Sequence, residues 1–105
     1  MKLVRNNIPG LYSRGELEPR NVAREMEFRQ ATGEERDLLL RLKLVEEVGE
    51  VLSAPTTARR VSELYDLRDV IEAYLEHSRA DEVDEAAHRD KLSRLGGFSE
   101  GWVLK

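Results

Sequence analysis

The stretch between Thr32 and Pro55 constrains this chain most, because its periodicity fits one long, almost unbroken helix. Thr32 followed three residues later by Glu35 has the form of a capping box. From there "ERDLLLRLKLVEEVGEVLSA" runs to Pro55, which should stop it. At about 100° per residue, Leu38, Leu40, Leu42, Leu44, Val45, Val48, Val51 and Leu52 cover a wide apolar arc. Lys43, Glu46, Glu47 and Glu50 fill the narrow remaining sector. Like charges at i,i+4, such as Glu46 and Glu50, destabilise a helix by roughly 0.2–0.5 kcal/mol per pair, and Glu47 lies beside both. Gly49 within the same turn costs a further ~0.8–1.0 kcal/mol relative to Ala. A helix this apolar is expected to be mostly buried, with its acidic sector against another helix or a cleft.

The rest of the chain also reads as helical. Pro9 suits the first turn of a brief helix through Leu11 and Tyr12, ended by Gly15. "GELEPRNVA" reads as an extended connection, since Pro19 disfavours a helical Glu18. Arg24 to Gln30 has room for a turn of helix without clear ends. After Pro55, Thr56 or Thr57 caps a helix through "ARRVSELYDLRDVIEAYLEHS". Its apolar side is Leu64, Leu67, Val70, Ile71, Ala73, Tyr74 and Leu75. Arg68, Asp69, Glu72 and Glu76 read as its solvated side, whereas Asp66 falls inside the apolar edge and Glu63 beside it. Asp81 caps a last helix over Glu82 to Leu95, stopped by Gly96-Gly97. Phe98, Trp102, Val103 and Leu104 in the tail are available for packing. No strand pattern appears. The expected fold is all-α: one domain over residues 1–105, an antiparallel helical bundle.

Composition narrows the function classes. With 40% hydrophobic and 36% charged residues, 105 residues suit one globular domain with a modest core. A net charge of -4 argues against a nucleic-acid polymer as partner. The lack of cysteine excludes disulfides and thiolate metal sites. No apolar run approaches a membrane span and the N-terminus has no signal-peptide core, so the expected location is the cytoplasm. His77 and His88 are isolated and read as surface residues.

Two helices thus carry acidic pairs three residues apart, Glu47 with Glu50 and Glu63 with Asp66. The short connection through Pro55 makes the helices antiparallel neighbours. Facing pairs would present four carboxylates to one point, and oxygen ligands without His or Cys suit magnesium, or manganese in its place. The plainer reading is a solvated acidic face, with Lys43 paired to Glu47 and Arg59 or Arg60 paired to Glu63. Against it stands Asp66, which sits at an apolar edge with no basic residue at i±3 or i±4.

"EEVGE" followed by "ELYD" resembles the EExxE…ExxD pattern of the MazG-like, all-α nucleoside triphosphate pyrophosphohydrolases. The opening "KLVRNNIP" resembles the KLVRDKIP start of a subgroup described as phosphoribosyl-ATP pyrophosphohydrolase-like. "LGGFSEGWVL" is similar to that subgroup's GGF-containing tail. The resemblance implies magnesium-dependent hydrolysis of a nucleotide between its α- and β-phosphates, releasing a monophosphate and pyrophosphate. It implies Glu47, Glu50, Glu63 and Asp66 as metal ligands. Glu46 would hold or deprotonate the attacking water or help bind a second ion, with Glu47 beside it as the other catalytic candidate. Lys2 and Arg5 would reach substrate phosphates. Asn6 and Asn7 stand where that subgroup has Asp and Lys, which removes one phosphate contact. The resemblance also implies a bundle completed across a homodimer or a dimer of dimers, and the broad apolar faces agree with that. The competing expectation is a non-catalytic helical binding or assembly module on the same fold.

Overall fold

The structure, a computed structural model, describes residues 1–18 and 26–105, and among these all regular structure is α-helical. The helices are α1 (Ile8–Ser13), α2 (Gly33–Ser53), α3 (Thr57–His77) and α4 (Glu82–Leu95). The chain forms two compact units, Met1–Tyr74 and Leu75–Lys105. No described helix is long and apolar enough to cross a membrane.

In the first unit, Pro9 sits in the first turn of α1. Gly15, with φ +68°, supplies the left-handed turn after it. Tyr12 anchors the strand-free stretch ahead of α2: its hydroxyl accepts from the Met26 N–H at 3.3 Å, and its ring meets Phe28 edge-on at 5.6 Å. The expected turn of helix over Arg24 to Gln30 is absent from 26–30, and its first two residues lie outside the described ones. So do residues 19–23 of the expected extended connection.

The start of α2 departs from the capping box. Thr32 is the N-cap but its side chain makes no capping bond, and the Glu35 carboxylate, the other half of the motif, is held by Arg29 through hydrogen bonds of 2.6 and 2.7 Å. At the other end Ala54, which precedes Pro55, turns out of the helix at ψ 128°. Arg60 donates to the Ala54 carbonyl at 3.0 Å, a cation on the orphan acceptors of a helix C-terminus. Thr56 caps α3, its hydroxyl accepting from the Arg59 N–H at 3.1 Å. Tyr74 of α3 donates to Asp37 of α2 at 2.9 Å. Residue numbers rise along one helix as they fall along the other, so α2 and α3 form an antiparallel hairpin, as the short connection requires.

The inner face of this hairpin is unusual. Its buried apolar residues are Leu39, Leu40, Ala54 and Val70, and beside them lie two carboxylates, Glu47 and Glu63, each only 6% exposed. This chain by itself does not cover α2 on all sides. Leu38, Leu42, Val45 and Leu52 are between 51% and 78% exposed. They form one stripe roughly opposite Glu47, since the packing of α3 covers only the other face. Gly49 falls within that stripe, with open space where a Cβ would stand.

The second unit holds the end of α3, α4 and the tail. Asp81 closes a full capping box: its carboxylate accepts from the Val83 and Asp84 N–H groups, and Asp84 accepts from the Asp81 N–H. Gly96, at φ +78°, ends α4 where a side chain would be strained. Phe98 and Trp102 are 99% and 89% exposed.

Candidate metal centre

Three carboxylates converge between α2 and α3. Glu47, Glu50 and Glu63 each offer an oxygen within 4.8 Å of the others. The helices explain the convergence: Glu47 and Glu50 lie three residues apart on α2, and Glu63 faces them from the second turn of α3. Each buried member is half satisfied. Lys43 lies 3.4 Å from Glu47, and Arg59 donates to Glu63 at 2.9 Å, so the expected local ion pairs are present. Arg60, the other candidate for Glu63, serves the end of α2 instead. The second oxygens, Oε2 of Glu47 and Oε2 of Glu63, are buried and have no hydrogen-bond partner. Leaving such a group unsatisfied costs about 1–3 kcal/mol, more when it is charged.

Glu50 carries the electrostatic consequence. Desolvation, then the neighbouring Glu63 and Glu47, pushes its carboxyl up to about 7. Three oxygen donors with surplus negative charge fit a hard divalent cation such as magnesium or manganese. The two orphaned oxygens are the places such an ion would satisfy.

Asp66 stands apart from this trio. Its carboxylate accepts from Arg5 at 2.8 Å, and the same guanidinium reaches Asp69 at 2.9 Å. The hydrogen bond to Asp69 holds the Arg5 pKa above its usual value; partial desolvation opposes it, and the charges of Asp66, Asp69 and Glu47 add to it. Asp66 thus has its basic partner 61 positions away, beyond any search of helical neighbours. Asp69, read as part of a solvated side, is the residue that reading missed, and only the fold discloses its partner.

Glu46 is also engaged. It accepts from Lys2 at 3.2 Å and from Lys43 at 3.4 Å. Desolvation would raise its carboxyl, but the Lys2 hydrogen bond and the charges of Lys43 and Lys2 outweigh this and hold it below the ordinary value. A pocket of about 130 Å³ lies beside it, lined by Met1, Lys2, Leu3, Leu39, Leu42, Lys43 and Glu46. That is small against the ~300–1,000 Å³ of typical small-molecule sites. Asn7 is the N-cap of α1 without a side-chain capping bond, and it is exposed, as is Asn6.

No family model, no curated protein and no solved structure matches the chain.

Proposed function

We propose that the chain is a divalent-cation-dependent nucleotide pyrophosphohydrolase of the MazG-like kind, cleaving the α–β phosphate linkage to give a monophosphate and pyrophosphate. The observation that carries this reading is the pair of buried, unpartnered oxygens of Glu47 and Glu63 beside Glu50. Natural proteins pair or ligate almost all such groups. Glu47, Glu50 and Glu63 would hold magnesium or manganese, with Asp66 one turn further along α3 as a fourth donor. The ion would neutralise phosphate charge and make bound water more acidic. Lys2, Arg5 and Lys43 bring positive charge to the same region and would receive phosphates. Glu46 and Glu47 would accept a proton from water.

The proposed active form is a homodimer, alone or within a dimer of dimers. The stripe Leu38, Leu42, Val45, Gly49, Leu52 repeats at the 4-3-4-3 spacing of a helix–helix seam, and Gly49 leaves room for close approach. Two copies of one stripe satisfy a two-fold contact.

A second reading is a non-catalytic helical module. It is favoured by the cations already seated on Asp66 and Glu46, which satisfy those carboxylates without a metal. A nucleotide panel assayed with magnesium and with manganese separates the two. Phosphorus NMR should find pyrophosphate and a monophosphate as primary products. Orthophosphate would indicate other chemistry, and no turnover of any nucleotide would favour the module.

A further inference from the structure

The candidate centre holds three carboxylates, and the fourth that α3 offers is tied to the N-terminal segment. Asp66 lies three residues beyond Glu63, on the same side of α3. Arg5 takes it at 2.8 Å and fastens itself to Asp69 at 2.9 Å, one guanidinium bridging two acids a turn apart. Three residues earlier, Lys2 takes Glu46 at 3.2 Å. The cations that would meet phosphate are thus engaged by carboxylates that neighbour the candidate trio along α2 and α3. All four side chains are partly exposed, from 33% for Glu46 to 63% for Lys2, so exchange with a solute needs no unfolding. An exposed pair of this kind contributes little to stability and lies within reach of competition by a polyphosphate.

We propose that residues 2–5 form an internal cationic latch: Arg5 and Lys2 withhold Asp66 and Glu46 until the phosphates of a nucleotide take the two cations. Release of Asp66 then completes the carboxylate set around the ion. Cation and polyphosphate therefore bind with positive coupling, and each tightens the other by the same factor. Without nucleotide the site is a weak, three-carboxylate one, which limits idle occupancy by cations. This inference rests on the pyrophosphohydrolase reading, since it takes the nucleotide as the ligand that opens the latch.

Manganese titration by calorimetry tests it, on the full chain, alone and with the non-hydrolysable probe α,β-methylene-ATP. Arg5→Gln should bind manganese at least about fivefold more tightly than the natural sequence without the probe, the lower edge of typical coupling. Arg5→Lys keeps the charge but not the two-pronged hold, and should show a smaller gain in the same direction. In an Asp66→Asn background the Arg5→Gln gain should vanish. The probe should tighten manganese binding to the natural sequence once its own manganese chelation, titrated without protein, is subtracted. Circular dichroism of each variant checks the fold, and the charge-conserving Arg5→Lys decides should Arg5→Gln fail to fold. Equal manganese affinity in the Arg5 variants and the natural sequence, or a gain that persists without Asp66, overturns the latch. Manganese binding that depends on Glu50 would then still leave the metal-site reading standing. Absence of manganese binding to the natural sequence with and without the probe would sink that reading itself.

Discussion

Glu47 and Glu63 face one another from α2 and α3, and each buries one carboxylate oxygen that no basic or amide group of the described chain satisfies, leaving only a proton shared with Glu50. Lys43 and Arg59 hold their other oxygens, so the pair is anchored rather than stray. A cation bound there should stabilise the fold by mass action, by about 2.7 kcal/mol at a free concentration roughly 100 times its Kd. Thermal unfolding with rising manganese should move upward, and Glu50→Gln or Glu63→Gln should remove most of that rise. An unaltered rise in both variants would place the ion elsewhere.

Without metal, stability should depend on pH through Glu50. Its folded carboxyl lies at about 7 against 4.5 for an ordinary one, through desolvation and then Glu63 and Glu47. Between those values the folded chain holds more protons than the unfolded chain, so stability falls as pH rises. The contribution is fully present below 4.5 and is lost as pH climbs through about 7. Glu46, held low, acts in the opposite sense: its contribution is present above the ordinary carboxyl pKa and fades in acid. Urea unfolding in a chelator, at steps from mildly acidic to mildly alkaline pH, should show declining stability. Glu50→Gln should flatten that decline, and a natural sequence already flat across it would contradict the assignment.

The hairpin should be weakened by losing one hydroxyl. Tyr74 donates to Asp37 across α2 and α3, and Asp37 also accepts from Arg41 at 2.8 Å. The Asp37 hydrogen bond, reinforced by desolvation and by the Asp37 charge, keeps the Tyr74 phenol above its ordinary pKa. Tyr74→Phe should cost about 0.5–1.5 kcal/mol in urea unfolding, the net worth of a typical hydrogen bond. A neutral outcome would mean that Asp37 exchanges this partner for water without loss.

What the sequence made legible was local. Helix periodicity, Pro55, the Asp81 cap and the Gly96 stop are written in neighbouring residues, and α2, α3 and α4 obey them closely. Glu47, Glu50 and Glu63 could be grouped because each needs only its own helix and one short turn. Arg5 with Asp66 and Asp69, and Lys2 with Glu46, could not, because ion pairing over 44 to 64 positions leaves no periodic trace. Thr32 shows the same limit at short range: its motif fits a capping box, yet Arg29 displaces the Thr32 backbone as the partner of Glu35. What covers the outer face of α2 is not legible for a related reason, since composition shows how apolar a helix is but not which chain covers it.

That exposed face yields the last prediction. Leu38, Leu42, Val45 and Leu52 lie on one side of α2, roughly opposite the carboxylates, with Gly49 open among them. Val45 is 70% exposed, so in a lone chain Val45→Glu is a surface change worth within ~0.5 kcal/mol. In a dimer joined along this stripe the same change buries two like charges near the two-fold axis, and breaking such a contact costs several kcal/mol. Light scattering at low micromolar concentration should therefore give a dimer or tetramer for the natural sequence and a smaller species for Val45→Glu. A control at Glu72, exposed on α3, should leave the assembly intact when changed to Gln. Circular dichroism separates dissociation from unfolding. A natural sequence that is monomeric and turns over nucleotide would refute the shared seam, and an unchanged oligomer in Val45→Glu would move the contact to another face.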